Sequence, residues 1–83
     1  MFTTNHYFMN WKNHIKVDPD IMFGKPVIIG TRVPVDIILN KLAGGKTVEQ
    51  LLKSYPHLTP EDISACLYYA AESVNSIVVY EVA

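Results

Sequence analysis

Thr31 and Arg32 set a hydroxyl and a guanidinium side by side, between a short β-branched run and a proline that opens a helical pattern. Unpaired N–H groups and the dipole at the start of a helix favour an anion, so polar chemistry is concentrated at this corner. Lys25, Lys46 and Lys53 are the cations carried nearest to it, on the hairpin corner and at the ends of the first two helical segments. Lys25, Thr31, Arg32, Lys46 and Lys53 are therefore the candidate contacts to a nucleic-acid backbone. Three such contacts from each half of a dimer would make about six, enough for modest binding that falls steeply with added salt. The plainer reading of each lysine is a solvated surface charge.

Catalytic chemistry finds little to work with. His6, His14 and His57 fall on three different elements without the spacing of metal ligands, and Cys66 lies within an apolar helical pattern where a thiol is inert. Asp18 and Asp20 flank Pro19, which suits a turn better than a calcium loop, since that needs more oxygen ligands and a glycine at fixed offsets. The expectation is a binding protein that is not an enzyme, with no catalytic residue, no metal and no cofactor.

The elements that position these residues follow from punctuation and period. His14–Val17 alternates as a half-buried strand, Asp18-Pro19-Asp20 turns the chain, and Val27-Ile28-Ile29 forms a second strand fenced by Gly24, Pro26, Gly30 and Pro34. Paired, they make a small hairpin with an irregular loop. Val33, before a proline, is pushed to extended backbone, and Pro34 suits the first position of a helix. That first helix runs to about Ala43, with Val35, Ile38, Leu39 and Leu42 on its buried face, and stops at Gly44-Gly45. Thr47 with Gln50 forms a capping box for a second helix that buries Val48, Leu51, Leu52 and Tyr55 and ends at Pro56. Thr59, Pro60 and Asp62 start a third, with Leu58 and Ile63 as a hydrophobic staple, and Ile63, Cys66, Leu67, Ala70 and Val74 on one face. Residues 76–82 read equally as strand or as continued helix.

The fold class is mainly α with a small N-terminal β-hairpin, and its three-helix core has helix-turn-helix or winged-helix-like form. Residues 1–13 make an N-terminal arm, 14–75 the hairpin and helical core, and 76–83 an apolar end segment, all within a single domain. In a helix-turn-helix the front of the later helix would face base edges, and here it offers Glu61, Asp62, Ser64, Tyr68 and Tyr69, with no Lys or Arg to pair with guanine. Ser64 and Tyr68 are the candidate base-facing residues. Glu61 and Asp62 fit better as capping and dipole partners.

Of the 83 residues, 49% are hydrophobic, including five Tyr, three Phe and one Trp. So small a domain buries only about 60% of its unfolded surface, and leftover apolar area marks a contact. A homodimer or a bound partner is expected, through Phe8, Trp11, Ile77, Val79 and Tyr80. The net charge of -1 provides no overall field toward nucleic acid or anionic membranes. A single cysteine excludes an internal disulfide, and neither a signal sequence nor the roughly 18 apolar residues of a membrane span can be read, so the expected location is cytoplasmic.

The series H-I-x-x-D-P from His14, G-K-P-V-I-x-G-T-R-V-P-V from Gly24, L-A-x-G from Leu42, Y-P-x-L-T-x-E-D-I from Tyr55 and Y-A from Tyr69 resembles the bacterial family called domain of unknown function 433. The likeness spans roughly residues 11–71. It implies a small helix-turn-helix or winged-helix-like fold and the role of antitoxin in a type II toxin-antitoxin system, with a PIN-like nuclease encoded beside it as the toxin. The acidic front of the third helix places protein contact ahead of DNA, with autoregulatory DNA binding as a second activity. The alternative is a homodimeric interaction module of helix-turn-helix shape that binds no DNA.

Overall fold

A computed structural model describes residues 10–78 of the chain, and the side chains of residues 10–75. A 3-10 turn, Trp11–Asn13, leads into β1 (Ile15–Val17). A second 3-10 turn, Met22–Gly24, precedes β2 (Pro26–Ile28), and α1 (Val35–Ala43), α2 (Val48–Ser54) and α3 (Pro60–Val78) follow. The hairpin and three helices are those expected, with the first strand one residue shorter at its start and the second displaced by one residue toward the N-terminus.

β1 and β2 pair antiparallel in the register Ile15 with Ile28, Lys16 with Val27 and Val17 with Pro26. Ile15 enters the core and Lys16 faces outward, but the expected alternation stops there, since Val17 at the end of the strand is 58% exposed. After β2 the chain reverses through Ile28–Thr31, where the Thr31 N–H donates to the Ile28 carbonyl at 3.0 Å. Gly30 holds φ at +82° in the third position, which a type II turn requires and a side chain resists. The returning strand-like stretch pairs back onto β2, so Pro34 is bridged to Val27 and extended at ψ 145°. Pro34 is therefore the cap of α1 and not its first helical residue.

Each helix end has a local cause. α1 finishes in a Schellman motif, with the Lys46 N–H on the Lys41 carbonyl, the Gly45 N–H on the Leu42 carbonyl, and Gly45 at φ +100°. α2 starts with the reciprocal Thr47–Gln50 box at 2.8 and 3.1 Å. α3 starts the same way: the Thr59 N–H donates to Asp62 Oδ2 at 3.0 Å, and the Asp62 N–H to Thr59 Oγ1 at 3.1 Å. The second oxygen of Asp62 has a longer reach. His14 Nδ1–H donates to Oδ1 at 2.9 Å, which ties the hairpin to the start of α3.

The core joins Ile15 and Ile28 of the hairpin to Val35 and Ile38 of α1, Leu51 of α2, and Leu58, Ile63, Ala65 and Cys66 at and beyond the second helical connection. Two expected core positions lie elsewhere, since Leu67 is 50% and Val74 56% exposed. Trp11 explains the displacement. Its ring meets Tyr69 edge to face at 4.9 Å, so α3 turns its Ala65, Cys66 and Tyr69 side inward and leaves the Leu67 side out. Val48 is likewise at the surface, at 37%. Residues 76–78 continue α3 as helix, which settles the choice for them; 79–83 lie outside the described residues.

The loop between the strands carries strain. Met22 and Phe23 stand at φ 52° and 60°, followed by Gly24 at 81°. For the two residues that bear a Cβ this left-handed backbone costs roughly 1 kcal/mol or more each. Phe23 gains no burial in return, being 98% exposed. Phe23→Gly is therefore expected to stabilise the protein by about 0.5–1 kcal/mol, read from urea unfolding. Asp62→Ala, which removes a cap and the His14 partner together, is expected to destabilise it by about 1–3 kcal/mol in the same measurement.

Candidate functional site

A groove of ≈ 640 Å³ opens where the hairpin meets the connection between α2 and α3. Three pieces of chain form it: Lys16 within β1 with Ile21 in the loop after it, the Gly30–Val33 turn, and Ser54–Leu58. Leu58 is buried, Ile21, Val33 and Tyr55 are half-buried, and Lys16, Arg32 and His57 are exposed. An apolar floor therefore lies beneath a cationic rim. Among the described residues no aspartate or glutamate contributes to the lining.

Of the residues singled out for anion contact, the groove gathers Thr31 and Arg32. They play different parts. Thr31 Oγ1 donates to the Ile28 carbonyl at 2.7 Å and accepts from the Val33 N–H at 3.0 Å, so its hydroxyl clamps the turn instead of waiting for a ligand. That clamp fixes the backbone from which Arg32 projects. Lys25 is already engaged, its Nζ 3.1 Å from Asp36 Oδ2 in the first turn of α1. Asp36 also supplies the negative charge that the start of α1 favours, so the anion site expected there is occupied by the chain's own carboxylate. Lys46 and Lys53 are exposed outside the groove.

Ser64 and Tyr68 are exposed on α3, one helical turn apart, where the later helix of a helix-turn-helix presents its outer face. Leu67 and Val74 accompany them there, and no Lys or Arg does. Trp11, expected at a partner surface, is half-buried and committed to Tyr69. Phe8, Val79 and Tyr80 lie outside the described residues, as does the side chain of Ile77. The sequence reading passed over Lys16, His57 and Phe23. Alternation about Ile15 marks Lys16 as outward-facing, whereas nothing local announces that the turn at His57 closes on the hairpin.

Cys66 is fully buried in the core. Desolvation, and after it the Asp62 carboxylate, push its thiol up to about 11. A protonated thiol is neither a nucleophile nor a metal ligand near neutral pH. Among the described residues no three His, Cys, Asp or Glu side chains converge as a metal site, and no helix is long and apolar enough to cross a membrane.

The family model described as "Protein of unknown function (DUF433)" matches residues 15–70, from β1 into α3. The chain belongs to the DUF433 family. Its fold is similar to the crystal structure of a DUF433 member from Anabaena variabilis, with a TM-score of 0.72 and 33% identity over 80% of this chain and 65% of that one. It is also 44% identical over 52 residues to the uncharacterized protein y4eO of Sinorhizobium fredii, which covers 63% of this chain and 24% of that protein. The DUF433 chain thus spans about a quarter of y4eO. The matched segment contains the groove and the hairpin loop, as well as every core residue named above.

For this DUF433 member the thiol makes a direct measurement available. Cys66 should resist a disulfide reagent near neutral pH in the native state and react on unfolding. Because folding raises this acid's pKa, its contribution to stability is intact below the ordinary value of 9.0 and is lost as pH rises from there toward about 11. Unfolding midpoints in urea should fall across that window, and a Cys66→Ala variant should show less of the fall.

Proposed function

We propose that this DUF433 protein is the antitoxin of a type II toxin-antitoxin pair, acting in the cytoplasm by binding and blocking a PIN-like nuclease. The observation that carries the reading is Phe23, a 98% exposed aromatic held at the hairpin loop by two successive left-handed residues without glycine's freedom. Strain maintained around a solvent-exposed apolar side chain costs stability and contributes nothing to the core, which is the pattern of a residue kept for a contact. Leu67 and Val74, both at least half exposed on α3, add apolar area to the surface. The nuclease as partner is what the family resemblance implies. Such a protein works by covering its partner and needs no catalytic group of its own.

Autoregulatory DNA binding is the second activity in this reading, supported by the helix-turn-helix arrangement of α2 and α3 and by Arg32, Lys46 and Lys53 at the surface. The outward side of α3 favours the alternative, a homodimeric module that binds no DNA: it offers Ser64, Leu67, Tyr68 and Val74 without a cation. Binding to a promoter fragment at rising salt distinguishes the two, since phosphate contacts lose affinity steeply.

Co-expression with the nuclease of the neighbouring reading frame tests the main reading. The wild-type chain is expected to relieve growth arrest and to co-purify with the nuclease. Phe23→Gly is expected to weaken that complex by about tenfold or more while leaving the fold at least as stable. Toxicity untouched by the wild-type chain would refute the antitoxin role, and full protection by Phe23→Gly would remove Phe23 from the contact.

A further inference from the structure

The groove beside Arg32 has a composition at odds with the rest of the chain. Acids outnumber Lys and Arg eight to seven overall, yet among the described residues no acid lines this cavity, while Lys16, Arg32 and His57 all do. None of the three makes an ion pair or side-chain hydrogen bond among the described residues, in contrast to Lys25 and His14, which are held by Asp36 and Asp62. Lys16 and Arg32, without a partner among the described residues at the rim of a concave apolar surface, attract an anion that also has something to bury, and the His57 ring adds a hydrogen-bonding group.

We infer that this groove is the docking site for an extended acidic segment of a partner protein. An apolar side chain of the segment seats on Val33, Tyr55 and Leu58, and carboxylates on either side of it meet Lys16, Arg32 and His57. The inference rests on the partner-binding reading above and adds the chemistry that the partner must present. A nucleic-acid backbone fits less well. Its phosphates have no apolar group to place on the floor, the Thr31 hydroxyl is consumed by its own turn, and the net charge of -1 gives no long-range pull on a polyanion. Arg32 suits the paired oxygens of a carboxylate, being a planar donor fork on a stiff turn.

Panning a random dodecapeptide display library against the full chain tests the inference without the nuclease. Enriched sequences should place Leu, Ile, Phe or Trp within two residues of Asp or Glu. A synthetic peptide from that set should bind Lys16→Glu or Arg32→Glu at least about tenfold more weakly, and exchanging its acids for lysines should restore affinity for the reversed variants. Circular dichroism and unfolding midpoints equal to those of the wild type would show that the variants are folded. No enrichment, motifs free of acids, or affinity unchanged by both reversals would each overturn the proposal. So would a short DNA duplex that competes for the groove and is lost with Arg32→Glu, because that would make it a phosphate site. Peptide binding without nuclease binding would leave the groove standing and sink the antitoxin reading; the reverse result would do the opposite.

Discussion

One carboxylate joins the two halves of the molecule. Asp62 gives one oxygen to the backbone of Thr59 and the other to His14, 48 positions earlier in the chain. The first contact fixes where α3 begins, and the second fixes how the hairpin sits against that beginning. Both bonds are short and the site is partly screened from water, so they act where electrostatics is stronger than at an open surface. Shifting α3 relative to the hairpin would unseat Ile15 from Ile63 and Cys66 and alter the wall of the groove, since His57 and Leu58 lead directly into the Thr59 cap. Position and packing are thus set together.

The elements were legible because their boundaries rest on local chemistry. Thr47 with Gln50 and Thr59 with Asp62 are two-residue signals that need no knowledge of the fold, and both boxes form. Gly45 and Gly30 mark turns for the same reason: few other residues accept their backbone angles. Tertiary packing was harder to read. Leu67 and Val74 lie at helical spacing from Ile63, and periodicity alone assigns them to one face. The inner side of α3 is chosen by Trp11, from a segment with no period of its own. The candidate site divides along the same line. Thr31 and Arg32 were visible as an isolated polar pair in an apolar stretch, but the partners of Arg32 across the groove come from β1 and from the connection between α2 and α3, which only the fold brings together.

The surface shows a division of labour among cations that composition hides. Lys25 and His14 are fastened to carboxylates within the fold, whereas Lys16, Arg32 and His57 line a cavity to which no carboxylate of the described residues contributes. With so little net charge, the placement of a few groups matters more than their sum. The apolar side chains divide in a similar way. A nearly fully enclosed set of aliphatics supports the structure, and Phe23, Leu67 and Val74 remain outside it. The segment similar to y4eO makes up 24% of that longer protein, so a stretch of this sequence type also occurs as a fraction of a longer chain.

Residues 18–25 form a loop in which not one side chain is buried. Asp18 caps its near end on the Asp20 N–H, and Lys25 anchors its far end to Asp36. Between those two fastenings Ile21 and Met22 are half-buried, and Phe23 alone stands almost wholly in solvent. Substitution at Phe23 therefore changes the outer surface at little cost to the aliphatic core. Relatives built on the same scaffold can carry different side chains at that tip without rebuilding the interior.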